Sequence, residues 1–272
     1  MLNSRKKEIR IEADSFRGNC KVGQYGIINL FMECERCKYK LLRYPIGENA
    51  DLGFAMRRDT DTIIFTNTSS RLSREIFTLA HEIGHAVLHL KDTASFMDDA
   101  VTISEKSADE KEQEANYFAA CLLMPGDMVD KFLDLEITDF EKNRLSVMDI
   151  ARIMSEFGVS FDMVLNRLES LGKINSGEKL RLDNERNQVR VGNLLRSVEG
   201  NSRLNEPSKE ISIPHEYIEY VIYNYNHNAI PLETLKRALR YYQLIEDDVS
   251  DRITVRPQDE EELDDLIGGL ED

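Results

Sequence analysis

The chain has 272 residues and a formal net charge of −15, from 35 lysines and arginines against 50 aspartates and glutamates. A hydrophobic content of 41% is enough to form a buried core, so a wholly disordered chain is excluded. The negative net charge argues against nonspecific electrostatic binding to nucleic acid or anionic lipid. No apolar run approaches the ~20 residues of a membrane span, and the first residues lack the apolar stretch of a secretory signal. We therefore expect a cytoplasmic protein.

The first half of the chain predicts a small mixed domain. Residues 1–20 are polar, and we expect them to be loosely ordered. Beyond them, apolar spacing, strand-forming residues and turn residues alternate over short intervals. The predicted elements are a helix at 25–37, strands at 39–44, 53–57 and 62–66, a helix at 71–90, a polar loop at 91–104, and a second helix that ends at Met124-Pro125-Gly126.

The second half reads as mostly helical. Residues 136–175 predict two short helices around the turn 157–160, an arrangement that resembles a helix-turn-helix. Residues 176–210 are polar, with scattered Gly, Asn and Ser, and predict a linker, with one short helix within it as the alternative. Residues 211–256 resume apolar and aromatic periodicity and predict further helices. Residues 257–272 hold eight acids and no base, which is typical of a solvated acidic tail.

His81-Glu82-Ile83-Gly84-His85 fits the pattern H-E-x-x-H within the strongly helical interval. Positions i and i+4 share a helix face, so both imidazoles can reach one metal ion, and a chance match is the alternative. Imidazole suits zinc, and Glu82 can reach a water on the ion without being a ligand. We therefore predict one zinc per chain, with Glu82 as general base. Gly84, a poor helix former, suggests the close approach of another backbone.

A third ligand is needed, and the second helix offers two acids. At about 100° per residue, Glu112 lies on an apolar stripe, whereas Glu114 lies about 160° away from it. The other members of the stripe are Ala108, Ala115, Ala119 and Leu123. A carboxylate on an apolar face is costly unless a cation compensates it, so we predict Glu112 as the third ligand. The alternative is a surface acid near a helix start.

Two more residues are assigned by their positions. Asn116 lies one turn after Glu112, where it can hydrogen-bond a ligand histidine. His89 continues the i+4 series but lies two turns from His81, so it cannot easily complete the same site. We expect His89 at the surface or in a layer behind the ligands.

The segments FTLAHEIGHAVLH and EQEANYFAACLLMP resemble the ImmA/IrrE family of metallopeptidases, whose members carry H-E-x-x-H followed by E-x-x-A-[N/D]-x-F-A. The similarity covers residues 21–125 and, more loosely, the region to 174. It implies a zincin-like fold, zinc ligands His81, His85 and Glu112, and Glu82 as general base. It also implies a regulatory role, because many members cleave a helix-turn-helix repressor in stress responses or mobile elements.

Taken together, these observations predict an α+β, zincin-like minimal metallopeptidase domain at 21–135, in which a small sheet accompanies the two motif helices, followed by the helical region. The predicted activity is zinc-dependent cleavage of a protein substrate, a helix-turn-helix repressor, held along an edge strand within 53–66. One alternative is a metal-stabilised module that sequesters the repressor without cutting it. Another is a DNA-binding regulator that uses residues 146–168. Over 144–173, four bases balance four acids, which argues against direct nucleic-acid binding.

Overall fold

The computed structural model describes residues 1–48, 50, 52–58, 60–90, 105–137, 144–214 and 216–254, with the backbone alone for residues 58 and 105–109. The chain divides into two compact units, Met1–Ser212 and Ile213–Asp272. The predicted loop at 91–104 and the acidic tail lie outside the described residues. None of the described helices is both long and apolar enough to cross a membrane.

The first unit combines a small sheet with many helices. Its strands are β1 (Lys40–Tyr44), β2 (Gly53–Arg58) and β3 (Asp61–Asn67). Its helices are α1 (Asn3–Gly18), α2 (Leu30–Arg36), α3 (Leu72–Leu88), α4 (Glu105–Leu123), α5 (Gly126–Glu136), α6 (Val147–Phe157), α7 (Phe161–Ser170), α8 (Ser176–Arg186) and α9 (Val191–Ser197). The mixed α+β class with mostly helical content is therefore as expected.

The sheet has the strand order β1-β3-β2. β1 runs parallel to β3 and β2 runs antiparallel to it, with Leu42 opposite Phe65 and Ala55 opposite Ile64. Leu41 and Ile64 are buried in the main core, which they share with apolar residues of α3 and α4. This arrangement leaves β2 at one edge of the sheet, beside the helix that carries the H-E-x-x-H motif.

A buried ion pair joins the sheet to α3. The Arg43 guanidinium donates to both carboxylate oxygens of Glu75, at 2.8 and 3.1 Å, and the two side chains are only 6% and 0% exposed. The Thr66 and Ser208 hydroxyls also donate to Glu75, at 3.0 and 2.9 Å. The ring of Phe31 covers the guanidinium at 3.7 Å. Because each charge is paired and hydrogen-bonded, both can be buried.

The prediction that residues 1–20 are loosely ordered is wrong. Residues 3–18 form α1, which buries Ile9, Ala13 and Phe16 against the core. The Arg17 guanidinium donates to the carbonyl of Leu122 near the end of α4 and so attaches the end of α1. The apolar residues follow the i, i+4, i+7 spacing of a helix stripe, but they are too few to stand out in a polar segment.

The prediction of a linker at 176–210 is also wrong. The segment contains α8, α9 and a 3-10 turn at Ser202–Asn205. Leu182, Leu194, Leu195 and Leu204 belong to the main core. A few well-spaced leucines were sufficient to dock a segment whose average composition is polar.

The two helices predicted around 157–160 are present as α6 and α7. Ser146 caps α6 in a reciprocal pair with Asp149, Gly158 ends it at φ +68°, and Ser160 caps α7. These residues have the conformations and caps that such a turn requires. Residues 138–143, before α6, lie outside the described part.

The second unit has its own small core. It contains α10 (Glu216–Asn226) and α11 (Leu232–Tyr241), in the interval predicted to be helical. Its core residues include Ile218, Val221, Tyr225, Leu235 and Leu239.

Candidate metal centre

The candidate centre forms where α3 and α4 pack closely. A Cβ added to Gly84 of α3 would lie 3.2 Å from the Ala115 Cα and 3.1 Å from the Phe118 ring of α4. Ala115 and Ala119 are fully buried at this contact. The small residues at the contact therefore allow the motif helix to approach the acid-bearing helix, as the sequence position of Gly84 suggested.

His81, His85 and Glu112 meet at this contact. Their nearest atoms are the Nε2 atoms of the two histidines, 3.0 Å apart, and the two Glu112 carboxylate oxygens, each 3.1 Å from one of the Nε2 atoms. Two ligand atoms ~2.1 Å from a shared tetrahedral ion lie about 3.4 Å apart, so the cluster needs little movement to surround zinc. Two imidazoles and one carboxylate are also a donor set that zinc accepts with an open position. These residues therefore fit a metal ion.

Both histidines are held by a second hydrogen bond at Nδ1. His81 Nδ1 lies 3.1 Å from Asn116 Oδ1, and His85 Nδ1 lies 3.0 Å from His89 Nδ1. Burial, together with the neighbouring His81 and His89, lowers the pKa of His85 to about 3. The ring is therefore neutral at pH 7, which is the form that binds metals.

Glu82 lies beside the cluster but is not one of its three ligand candidates. The residue is only 7% exposed, and the backbone N–H of Ala55 in β2 faces its carboxylate and favours the ionised form. Burial and the nearby Glu112 carboxylate raise the pKa of Glu82 to about 8. A cation close to both carboxylates would oppose this shift and favour the ionised form.

The cluster opens into a cleft of about 600 Å³. β2 forms one wall, and α3 and α4 form the others. Gly53 is essential to this wall, because a Cβ there would lie 2.6 Å from Thr78 Cγ2 and 2.7 Å from the carbonyl oxygen of Phe65. The other lining residues include Leu52, Phe54, Ala55, Phe77, His81, Glu82, His85, Glu112 and Asn116.

The structure places the site residues where the sequence predicted them, except for two features of Glu112 and Glu114. Glu112 reaches the histidines, but its side chain is 53% exposed rather than embedded in an apolar face, because it borders the cleft. Glu114 points away from the cluster, and its carboxylate contacts a histidine: Glu114 Oε2 lies 3.1 Å from His89 Nε2. His89 is 5% exposed and lies behind His85.

Sequence reasoning missed Arg5. Its guanidinium holds Glu114 from α1, with Nε 2.8 Å from Oε1 and Nη2 2.6 Å from Oε2. These hydrogen bonds to Arg5 lower the pKa of Glu114 to about 2. No local pattern links two residues 109 positions apart, but His89, one turn after His85, was a signal that the histidine series continues behind the ligands.

Comparisons with known proteins agree with the motif. A family model for M78 peptidases, described as the IrrE N-terminal-like domain, matches residues 34–169, which is half of the chain. Uncharacterized immunity region protein 2 of Bacillus phage phi105 is 32% identical over 87 residues, covering 32% of this chain and 53% of that protein. A solved Mycobacterium tuberculosis transcriptional regulator aligns with 14% identity and a TM-score of 0.39, covering 62% of this chain and 47% of that one.

The chain therefore spans about half the length of each of these two proteins. The segment matched by the family model begins in α2 and ends in α7, so it includes the whole His81, His85 and Glu112 cluster. The resemblance to ImmA/IrrE proteins is confirmed, and the chain belongs to the M78 peptidase family with an IrrE N-terminal-like domain.

Proposed function

We propose that this protein is a zinc-dependent endopeptidase with a zincin-like catalytic domain. The observation that carries the proposal is the convergence of His81, His85 and Glu112 beside a buried Glu82 that is not a ligand candidate. A purely structural zinc site is closed by four protein ligands, whereas three ligands leave a position open to water and substrate. The cluster also faces a cleft large enough for a peptide segment.

In this proposal, His81, His85 and Glu112 hold one zinc ion. Zinc at this position would polarise the scissile carbonyl and lower the pKa of water. Glu82 accepts the proton of the attacking water and returns it to the leaving amine nitrogen. The Ala55 N–H faces the Glu82 carboxylate, so the base lies beside the edge strand β2 before the substrate arrives.

The edge strand suits an extended peptide substrate. The Leu52 carbonyl accepts from the Asn67 N–H at 2.8 Å, and alternate residues of an antiparallel strand face the same neighbour. Gly53 and Ala55 therefore turn their backbone groups away from β3 and towards the cleft, in agreement with the Ala55 contact to Glu82. A substrate strand added here would pass the metal cluster.

The substrate class that we propose is a helix-turn-helix repressor of a stress response or a mobile element. Family resemblance motivates this choice, and one relative is named an immunity region protein of a phage. The phage name agrees with a mobile-element switch. The corresponding compartment is the cytoplasm, where such a repressor acts.

DNA binding by residues 146–168 is disfavoured by the contacts of α7. Arg167, the base on the second helix, is buried, and its Nε donates to the Met124 carbonyl at 2.8 Å. Asp162 at the start of α7 pairs with Arg186. A helix that buries its only arginine and exposes acids has little attraction for phosphates.

Co-expression with a candidate helix-turn-helix repressor, chosen from the genes that neighbour this one, tests the proposal. Wild-type protein should yield repressor fragments, and the Glu82→Gln variant should retain zinc and leave the repressor intact, since a missing general base costs about 10²–10⁴-fold in rate. Relief of repression by both forms without fragments would instead establish sequestration. If only the wild-type protein relieves repression and repressor fragments appear with it, the result supports the endopeptidase proposal.

A further inference from the structure

A continuous chain of side chains runs from the metal cluster to the N-terminal helix. His85 Nδ1 lies 3.0 Å from His89 Nδ1, and His89 Nε2 lies 3.1 Å from Glu114 Oε2. The Arg5 guanidinium then donates hydrogen bonds to both carboxylate oxygens of Glu114, at 2.8 and 2.6 Å. The two histidines are buried, at 9% exposure for His85 and 5% for His89, and the exposed fraction then rises to 18% at Glu114 and 36% at Arg5. Residues of α3, α4 and α1 thus form one hydrogen-bonded path.

The proton positions along this path follow from donor and acceptor chemistry. The carboxylate of Glu114, held by a guanidinium, can only accept, so His89 carries its proton on Nε2. A neutral His89 then has a bare Nδ1, which must accept, so His85 must donate from Nδ1. The remaining nitrogen of His85, Nε2, is left bare where it faces the metal cluster.

The other ligand histidine reaches the same state by a different route. His81 Nδ1 faces the amide oxygen of Asn116 at 3.1 Å, so the His81 proton also sits on Nδ1 when that oxygen is the acceptor. Two bare Nε2 atoms then face each other across 3.0 Å with no proton between them, beside the Glu112 carboxylate. Such an arrangement repels itself unless a cation lies within it.

We propose that His89, Glu114 and Arg5 are positioning residues that fix the metal-binding tautomer and ring orientation of His85, so that α1 is a working part of the metal site. The proposal rests on the zinc site of the proposed function and extends it. Arg5 lies outside the segment 34–169 that matches the family model, so the site recruits a helix from beyond the matched domain. α1 is well anchored for this task, with Ile9, Ala13 and Phe16 buried.

The affinity of the full-length protein for zinc alone, measured by competition with a chromophoric chelator, tests the proposal. Glu114→Ala and His89→Leu should each weaken zinc binding about 10–100-fold, the usual effect of losing the partner of a ligand histidine. His89→Asn should recover part of the loss, because its amide oxygen can still accept from His85 Nδ1. Arg5→Ala should have a smaller effect in the same direction, since Glu114 remains.

Two matched controls separate the path from general effects of charge. Glu110→Gln removes one negative charge from α4, and Glu8→Gln breaks the other Arg5 ion pair, 3.1 Å long, while leaving the grip on Glu114. Both controls should bind zinc within about twofold of wild type, as surface ion pairs contribute little. Weakening by either control equal to that of Glu114→Ala would overturn the proposal.

A double variant distinguishes a path from separate contributions. If His89 and Glu114 act through one chain, the double variant His89→Leu, Glu114→Ala should bind zinc no more weakly than His89→Leu alone. If the affinity losses of the two single variants multiply in the double variant, the path is overturned.

Absorption bands of the Co²⁺-substituted protein should shift in His89→Leu and keep their wild-type form in Glu8→Gln. Far-UV circular dichroism of each metal-free variant shows whether its fold is retained, and Glu114→Met, which fills the same space without an acceptor oxygen, replaces any Glu114→Ala protein that unfolds.

The outcomes separate this inference from the proposed function. Unchanged zinc affinity in Glu114→Ala and His89→Leu, with tight binding in wild type, would overturn the path and leave the endopeptidase proposal standing. Absence of zinc binding by wild type would overturn both.

Discussion

Gly84 and Ala115 set the distance between the two helices of the metal cluster. A side chain as small as a methyl group at Gly84 would come within 3.2 Å of the Ala115 Cα. Because His81 and His85 flank Gly84 on one helix and Glu112 precedes Ala115 on the other, the same contact sets the gap that the proposed zinc ion would occupy.

Gly84→Val should therefore lower both stability and zinc affinity. Overpacking at such a contact costs about 1–3 kcal/mol, and pushing α3 from α4 moves Glu112 away from the histidines. Urea denaturation and zinc competition measure the two effects. Gly192→Val is the matched control, because the nearest atom to a Cβ there is the end of the Asn205 side chain at 3.7 Å. Equal effects of the two changes would contradict the role of close packing.

Glu112→Gln should weaken zinc binding strongly, whereas Glu110→Gln should leave zinc binding near the wild-type level. Glu112 supplies both of its oxygens to the histidine pair, and a neutral amide replaces the charged ligand poorly. His81→Ala should remove zinc altogether, because only two of the three ligands remain. Elemental analysis of freshly purified protein checks these results. Retention of one zinc per chain by His81→Ala would exclude the assignment.

The parts of the site that the sequence predicted are those governed by helix periodicity. The spacing of His81 and His85, the stripe that selects Glu112, and the turn that brings Asn116 to His81 all follow from about 3.6 residues per turn. In the structure, Glu114 lies outside the cluster of His81, His85 and Glu112 and contacts His89. Helix periodicity places His89 behind the ligands but does not predict its contact with Glu114, because a helical wheel carries neither side-chain length nor the position of a second helix.

The errors in the fold have a related cause. α1 and the segment 176–210 are polar on average, and each depends on a few buried residues, such as Phe16 and Leu195, whose partners lie far away in sequence. Local composition weighs every residue equally, while docking depends on the few that are buried. The strands were predictable because alternation is a local signal, although the edge position of β2 required the pairing of all three strands.

Glu75→Gln should destabilise the protein by about 3–5 kcal/mol, because it leaves the buried Arg43 guanidinium without its main carboxylate partner. The double change Arg43→Met, Glu75→Leu should recover much of this loss, since no buried charge remains unpaired and Glu210, which also pairs with Arg43, is 57% exposed to water. Asp61→Asn is the control: it breaks the exposed pair with Lys40, which should contribute less than about 1 kcal/mol. Urea denaturation measures all three, and a Glu75→Gln protein as stable as the control would contradict the argument.

Gly53→Ala should impair hydrolysis more than it impairs zinc binding. An added Cβ would meet Thr78 Cγ2 at 2.6 Å and the Phe65 carbonyl oxygen at 2.7 Å, and it would lie 3.4 Å from Glu82 Cγ. β2 must therefore shift away from α3, which carries the Ala55 N–H away from the Glu82 carboxylate and moves the wall of the cleft. The proposed metal ligands lie on α3 and α4, so zinc content should stay near the wild-type level. Cleavage of the co-expressed repressor measures the loss of hydrolysis rate, for which we expect about 10²-fold, the scale on which small misplacements lower rates.

Gly18→Ala, at the end of α1 with no atom within 4 Å of the new Cβ, is the control and should cleave at the wild-type rate. Full cleavage by Gly53→Ala would show that the position of β2 against Glu82 does not matter for catalysis.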